Sequence, residues 1–452
     1  MIAERTQTAT IMTGAWYGDR SEGLEFPSSW RVQVHQPSTP PPLSDAQIAA
    51  SLERPIGQDP IRDLARGKSR PLILVDDLTR PTPADRVLPL LLRQLQEAGI
   101  RPGDVRIMLA QGTHEQAPGD ALARKVGAEA ARVCRLLVHD HRGAALRVGR
   151  TSLGTPVWVN PEVAAADLLI GIGGVYPQRS TGFGGGSKLA LGVLGRSSIV
   201  HLHYARPSLD GSYEIDNEFR RDLDEIAAMI GLRTMVTVHV DGQRRIVRAV
   251  SGDHFAYYRE AAAFSRSAYS APPPGDVDVV ISNAYPLDVS LTFMRSKGMA
   301  PLFKSEPSAS RVVVAACSEG IGHHGLFPFV NGPRFDGVRQ RVRRASVMPP
   351  QMLLTEAARG MRRITSRLSG NHLAGGSGAV ASRGRRGPIH LYSPGTGAPG
   401  LPADIPIWTG QPDRITVAPN WAEVLERVSE EQGRRDTLEV VVYSCASMQV
   451  IE

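Results

Sequence analysis

The stretch from Ala166 to Lys188 constrains this chain more than any other. Its first part, Ala166-Asp167-Leu168-Leu169-Ile170-Gly171-Ile172-Gly173-Gly174, is short and apolar and reads as a buried strand. Its second part, Tyr176-Pro177-Gln178-Arg179-Ser180-Thr181-Gly182-Phe183-Gly184-Gly185-Gly186-Ser187-Lys188, leaves the sheet edge through residues that let a backbone come close to a ligand. Glycines such as Gly184, Gly185 and Gly186 accept positive φ and offer open N–H groups, which suit a phosphate. Lys188 ends the loop, and His201 and His203 follow within about four helical turns. The combination points to an anionic cofactor held by backbone and anchored by an amine, with an imidazole at hand for a metal.

Strand and helix signals alternate on either side of this stretch. Arg70 to Asp77, Val105 to Leu109 and Arg135 to Val138 read as strands. A helix carrying Val87, Leu88, Leu91, Leu92 and Leu95 and an alanine-rich helix from about Ala117 to Arg132 lie between them. Val157-Trp158-Val159 and Met235 to Val240 add strands, with helices expected over 215–232 and from Tyr257 to Ser267. The pattern predicts an α/β protein with mainly parallel sheets flanked by helices, and such sheets take ligands beyond their carboxyl ends. Asp77, His114, His139 and the glycine loop all follow expected strands in that way.

At 452 residues the chain is long enough for two cores. The run Ala271-Pro272-Pro273-Pro274-Gly275-Asp276 cannot continue a helix and is the expected boundary. It divides an N-terminal cofactor-binding α/β domain, residues 1–270, from a C-terminal α/β domain, residues 277–452, with the active site in the cleft between them. The second pattern starts at Val277 to Ser282. It continues with strands at Arg311 to Ala316, 389–392, 414–417 and 438–443 and a helix from Trp421 to Glu431. Residues 1–45 hold a short strand, Trp30 to Val34, and a proline-rich connector, and the Gly/Ser/Arg-rich segment 368–388 reads as a mobile loop.

A hydrophobic fraction of 42% and a charged fraction of 21% are those of a soluble globular protein. No apolar run reaches the ~18 residues that a membrane span needs. The N-terminus lacks a signal core, and Cys134, Cys317 and Cys445 are few, odd in number and far apart, which fits a reducing cytoplasm. The net charge of +7 comes largely from Arg339–Arg344, Arg359–Arg367 and Arg383–Arg386. No aromatics interleave with these arginines and no nucleic-acid-binding signature accompanies them, so a solvated face is the favoured reading over a surface that attracts small anions.

Several constellations carry candidate chemistry. In Asp76-Asp77-Leu78-Thr79-Arg80-Pro81-Thr82-Pro83, Arg80 is placed to clamp a substrate carboxylate, and Asp77 and Thr79 to contact a cofactor's hydroxyls. The same residues also read as a helix start. Gln111-Gly112-Thr113-His114 offers a general acid/base, with a structural histidine as the alternative. His139-Asp140-His141 is a supporting pair or a turn. The glycine loop is not a P-loop, because Ser187-Lys188 inverts the Lys-Ser/Thr order. Nor does Gly171-Ile172-Gly173-Gly174 complete a dinucleotide fingerprint. His201 and His203 are two apart and so face different ways on a helix, which leaves at most one as a metal ligand. Further on, Pro286 is expected to open a helix that Gly298 ends, leaving Lys297 at its exposed last turn, facing the cleft or complementing the helix dipole. Cys317-Ser318-Glu319-Gly320-Ile321-Gly322-His323-His324 is a binding wall or a turn.

Taken in order, these motifs resemble the nickel-pincer nucleotide-dependent lactate racemase family, from about residue 70 to 325 and more weakly beyond. Asp77-Leu78-Thr79-Arg80-Pro81, Gly112-Thr113-His114, Gly182 to Lys188 with His203, and Tyr285-Pro286-Leu287-Asp288 with Lys297-Gly298-Met299 carry the resemblance. It implies a cleft holding a nickel-bearing sulfur-substituted nicotinic acid mononucleotide, pyridinium-3-thioamide-5-thiocarboxylic acid mononucleotide, made by dedicated biosynthetic enzymes. Lys188 matches the lysine that can tether it covalently and His203 the protein ligand to nickel. Asp77 and Thr79 would lie by the cofactor, Arg80 and Lys297 by a small 2-hydroxy acid, and His114 matches one of two acid/base histidines.

The chain departs from the family at four points. Gln178 stands where the second histidine is expected, and an amide cannot exchange a proton near neutrality. Leu191-Gly192 is one residue shorter than the usual Leu-Pro-Gly, Met294 replaces a common glutamine, and the family's later cleft tryptophan has no evident counterpart. The favoured reading is a racemase or epimerase of a different, larger 2-hydroxy acid, with His141, Arg179 or water in place of the missing base. A single-base enzyme relying on His114 and a non-catalytic cofactor-binding protein are the alternatives.

Overall fold

In the computed structural model, which describes residues 6–114, 120–178, 180–205, 213–322, 324, 387–395, 401, 404–406 and 414–452, the apolar run becomes the strand Leu168–Gly174. It is an inner strand of a six-stranded sheet. Pro71–Asp76 pairs with it in parallel on one side and Thr234–Val240 on the other. Arg106–Ala110 and Arg135–Val138 extend the sheet beyond Pro71–Asp76, also in parallel. Ile246–Asp253 closes the opposite edge antiparallel to Thr234–Val240.

The order has a consequence for binding. The chain winds outward from Pro71–Asp76, returns to the centre at Leu168–Gly174, and winds outward the other way. Between those two strands the direction of winding reverses, so the loops leaving their carboxyl ends part and open a crevice there. Asp76, Asp77 and Gly174 stand at its rim.

Alternation along the strands fixes the two layers. Ile73, Val75, Ile107, Leu109, Ile170 and Ile172 face Val87, Leu88, Leu91 and Leu95 of the helix Ala84–Glu97. Leu72, Leu74, Met108, Leu169 and Met235 face Leu189, Ile199, Leu202, Leu223 and Ile226 on the opposite side. Both faces are covered, which is why Pro71–Asp76 and Thr234–Val240 are buried throughout.

A seven-stranded sheet forms the second layer system, in the order Asp404–Pro406, Arg414–Ala418, Ile389–Tyr392, Ser310–Val314, Val279–Asn283, Glu439–Tyr443, Arg31–His35. All pairings are parallel except the first. Its last edge strand comes from the N-terminus. The hairpin Thr6–Thr13/Arg20–Pro27 packs Ile11, Leu24 and Phe26 on the same sheet, against Val279, Ile281 and Val442. The expected division at residues 270–277 therefore meets an interleaved chain, in which the first strands lie with the second sheet.

Three local expectations need correction. The alanine-rich segment forms two short helices, Ala121–Val126 and Ala128–Val133, because Gly127 takes φ 82° between them. Pro286 does not open a helix. It lies in a turn whose buried Asp288 accepts hydrogen bonds from the amides of Gly14 (2.9 Å), Ala15 (3.2 Å) and Ala316 (3.2 Å), and the helix starts only at Leu291. Ile246–Asp253 continues the sheet after the turn at Asp241, where the sequence reading placed no strand. The segment 368–386 and the arginine runs at 339–344, 359–367 and 383–386 lie outside the described residues. Among the described residues no helix is long and apolar enough to cross a membrane.

Candidate active site

A cavity of about 440 Å³ occupies the crevice and reaches across to the second sheet's loops. Its walls come from separate elements: Asp76, Asp77 and Arg80 after the first central strand, Gly112, Thr113 and His114 after the next, and Gln178, Ser180, Gly184, Gly185 and Lys188 from the glycine loop. His203 comes from the helix Arg196–Ala205, Phe293 and Lys297 from the helix Leu291–Lys297, and His324 from the segment after Ser310–Val314.

Asp77 and His114 form the most constrained pair. The Asp77 carboxylate accepts from the Thr79 amide at 2.9 Å and from the Thr79 hydroxyl, and its other oxygen meets Nδ1 of His114. Burial pushes the Asp77 pKa up, but the His114 and Arg80 charges and the hydrogen bonds outweigh it and hold the group well below the usual carboxylate range. With Nδ1 committed to Asp77, Nε2 is the nitrogen of His114 left for exchange with a ligand. Arg80 is set by its own neighbour, donating through Nη1 to the Thr79 carbonyl and hydroxyl at 2.9 Å each.

The glycine loop is held from behind. The Gly184 amide donates to the Tyr176 carbonyl at 2.7 Å, so it closes the loop and is not open to a phosphate. Arg220 donates to the carbonyls of Phe183 and Gly185, and the Tyr258 hydroxyl donates to those of Phe183 (3.0 Å) and Gly184 (2.9 Å). Gly185 has φ 71°, and a Cβ there would lie 2.7 Å from the Gly174 carbonyl oxygen. A side chain would therefore push the loop off the strand.

Lys188 and His203 both face this cavity. Burial, then the positive charges of Arg80 and Arg220, lower the Lys188 pKa to about 7. Burial, then the Lys188 charge, lowers that of His203 to about 4, so its imidazole is neutral at physiological pH. His203 Nδ1 lies 2.8 Å from the Ile199 carbonyl, which can only accept, so Nδ1 carries the proton and Nε2 the lone pair. Its ring stands edge-on to Phe219 at 5.2 Å.

Other expected residues fall differently. Thr79 and Gly186 do not line the cavity: the Thr79 hydroxyl is engaged by Asp77 and Arg80, and Gly186 sits against Tyr258. Gln178 lines it, but its Oε1 accepts from the amides of Ser180 (2.8 Å) and Thr181 (3.0 Å) and from both their hydroxyls. Met294 packs into the second sheet's core, while Phe293 beside it takes the cavity position. His141 is not a wall residue, and Arg196 approaches it at 3.3 Å. Arg179 lies outside the described residues.

The sequence reading singled out neither Phe293 nor Lys125, and left the His324 segment as a binding wall or a turn. His324 was legible as another residue beyond a strand's carboxyl end, but its segment read equally well as a turn. Lys125, fully buried, pairs with Asp76 at 2.6 Å and donates to the carbonyls of Asp77 and Arg80. Nothing in its local sequence signals that burial.

Residues 17–212 match the lactate racemase N-terminal domain. Over 290 residues the chain is 28% identical to the lactate racemase of Lactiplantibacillus plantarum, covering 62% of this chain and 68% of that one. It is 29% identical over 293 residues to the lactate racemase of Thermoanaerobacterium thermosaccharolyticum, covering 62% and 67%. The lactate racemase apoprotein structure from the latter organism superposes with a TM-score of 0.64 over 98% of this chain and 100% of that one, at 20% identity. A Thermotoga maritima protein structure superposes with a TM-score of 0.54 over 92% and 99%, at 13% identity. These two likenesses establish a shared fold.

Proposed function

We propose that this chain, a divergent homologue of the lactate racemases, is a racemase or epimerase of a 2-hydroxy acid that works with a nickel-bearing pyridinium nucleotide. The observation that carries the reading is the convergence of Lys188 and His203 on one cavity. Their chemistry fits such a group. An amine with a pKa near 7 is substantially unprotonated at neutral pH, so Lys188 is the residue that would hold the nucleotide covalently, through an amide-type link formed at a thiocarboxyl carbon with loss of water or sulfide. A neutral imidazole whose other nitrogen is fixed by a carbonyl is a well-oriented donor to nickel. Among the described residues no group of three or more His, Cys, Asp or Glu side chains could hold a metal, so His203 suits a metal whose other donors belong to the nucleotide.

When bound, the nucleotide supplies an electrophile that accepts the substrate's α-hydrogen with its electron pair and returns it. The remaining work falls to the chain. Arg80 and Lys297 offer cationic donors to the substrate carboxylate. Asp77 orients His114, whose Nε2 takes the C2 hydroxyl proton and later gives it back. Phe293 stands edge-on to the His114 ring at 4.7 Å and gives the cavity an apolar wall on the side of the second sheet. That side favours a carbon substituent larger than methyl and keeps water from the reacting centre.

A single-base enzyme that transfers hydride in one stereochemical sense is the second reading. It draws on Gln178, whose acceptor oxygen is spent within its own loop. An α-deuterated 2-hydroxy acid separates the two: the racemase yields both enantiomers with deuterium retained at C2, and the single-sense enzyme never yields the mirror product. The protein should first be made alongside the enzymes that build the nucleotide. Nickel should then accompany it, His203→Ala should lose most of that nickel, and Lys188→Ala should lose any mass adduct. Full nickel content in His203→Ala would remove the basis of the proposal.

A further inference from the structure

We infer that His324 is a second proton-exchanging residue of this cavity, serving the hydroxyl of one substrate enantiomer while His114 serves that of the other. The inference rests on the reading of function given above. His324 lines the same cavity as His114, and the two rings meet edge to face, 5.0 Å between centroids at 67°. Their placement is built into the backbone. His114 and His324 form an antiparallel bridge that ties the loop beyond one sheet to the loop beyond the other. Phe293 packs against both rings, at 4.7 Å from His114 and 6.2 Å from His324.

The two imidazoles have different neighbours. Nδ1 of His114 faces the Asp77 carboxylate, which fixes the orientation of that ring. Burial, then the neighbouring His114, pushes the His324 pKa well below its ordinary value, with Asp77 opposing, so its ring is neutral.

Stereochemistry explains why two are needed. If Arg80 and Lys297 hold the carboxylate and C2–H must point at the same electrophile, the two enantiomers differ by exchange of hydroxyl and side chain. A base that reaches the hydroxyl of one enantiomer finds the side chain of the other. Gln178 cannot exchange a proton and His141 lies off the cavity wall, whereas His324 stands beside His114. In the oxidative half, the O–H proton passes to a ring nitrogen of His324. The C2 hydrogen would leave with its electron pair, the bound nucleotide supplying the acceptor, and C2–O would become a carbonyl. The reductive half reverses these steps on the opposite face and takes its proton from His114.

Single-turnover formation of the 2-keto acid, measured after acid quench from each enantiomer separately, tests the assignment on the nickel-loaded protein. His324→Gln should slow keto-acid formation from one enantiomer by roughly 10²–10⁴ and leave the other within a few fold. His114→Gln should show the opposite preference. Two further readouts guard against a merely structural effect: nickel content, and the affinity of the cofactor-free protein for the 2-keto acid, should both be unchanged in His324→Gln. Equal loss with both enantiomers, no loss with either, or a fall in nickel would overturn the role of His324 and leave the wider reading standing. A wild-type, nickel-loaded protein that forms no keto acid from any 2-hydroxy acid would instead overturn the proposed function, and this inference with it.

Discussion

Gln178 shows how one side chain can be read correctly for what it cannot do and still be misjudged for what it does. Its carbonyl oxygen gathers four donors from Ser180 and Thr181, two of them backbone amides. A neutral imidazole offers a single acceptor nitrogen, so histidine could satisfy only one of them. Gln178→His should therefore cost about 1–3 kcal/mol in stability through the unsatisfied amides, seen as a lower urea midpoint, and is a poor route to a second base. An unchanged midpoint would show that the loop closes without the glutamine. Lys188 carries a prediction of its own. Burial beside Arg80 and Arg220 sets its pKa near 7 where an ordinary lysine has 10.5. The sign is that of a cation made costly: the amine loses its proton on going up through about pH 7 and becomes nucleophilic there. Trace acetylation of the cofactor-free protein, followed by peptide mass analysis, should place the Lys188 inflection near neutrality, and an inflection near the ordinary lysine value would reject the burial argument. Asp77→Asn should keep the fold but lower turnover by roughly 10²–10⁴, because the amide no longer fixes the His114 tautomer and ring orientation.

Elements were legible where periodicity and burial agreed. Pro71–Asp76, Leu168–Gly174 and Thr234–Val240 are apolar because both faces are covered, and the helix Trp421–Glu431 announces itself by Asn420 at its cap. Legibility failed where distant contacts decide. Ser290 rather than Pro286 precedes the Lys297 helix because Asp288 is held by amides from the N-terminal hairpin and from Ala316, contacts that no local pattern reveals. Gly127 looked like one residue among alanines, yet its positive φ divides the helix and aims Lys125 inward. Of the candidate site, Asp77, His114 and the glycine loop were the residues singled out by their place after expected strands. Phe293 was not singled out and the His324 segment stayed a binding wall or a turn, since both depend on how two sheets face each other. The glycine loop gives this scale its test. Gly185 combines φ 71° with a 2.7 Å approach to the Gly174 oxygen, so Gly185→Ala strains the backbone and displaces the loop together. It should cost about 1–3 kcal/mol by chemical denaturation and lower nucleotide retention, while Gly184→Ala, whose Cβ would meet only the Tyr176 oxygen at 3.6 Å, should be milder.

At the scale of the whole molecule, the N-terminal hairpin joins elements of the two sheets through its tip. It packs on the second sheet, but its tip, Gly14 to Asp19, reaches the first. Trp16 lies between two cations, with Arg244 at 3.6 Å and Lys125 at 4.6 Å from its ring centre. Arg124 donates to the Trp16 carbonyl at 3.1 Å, and Arg244 to Asp19 at 2.7 Å. On the second-sheet side the Tyr285 hydroxyl donates to Asp19 and that of Tyr17 to Glu319, both at 2.7 Å. The same Lys125 binds Asp76 and the carbonyls of Asp77 and Arg80, so the tip is two contacts from the residues that orient His114. Each cation–π contact is worth about 0.5–2 kcal/mol. Trp16→Ala should therefore loosen the junction without unfolding either sheet. The expected signature is faster amide hydrogen exchange at Thr79 and Arg80, whose amides bond to Asp77, with exchange in Leu168–Gly174 unchanged. Trp16→Phe, which keeps a ring between the cations, should lie between the two. If exchange at Thr79 and Arg80 in Trp16→Ala matches the wild type, the hairpin tip is a cover over the junction and does not brace the site.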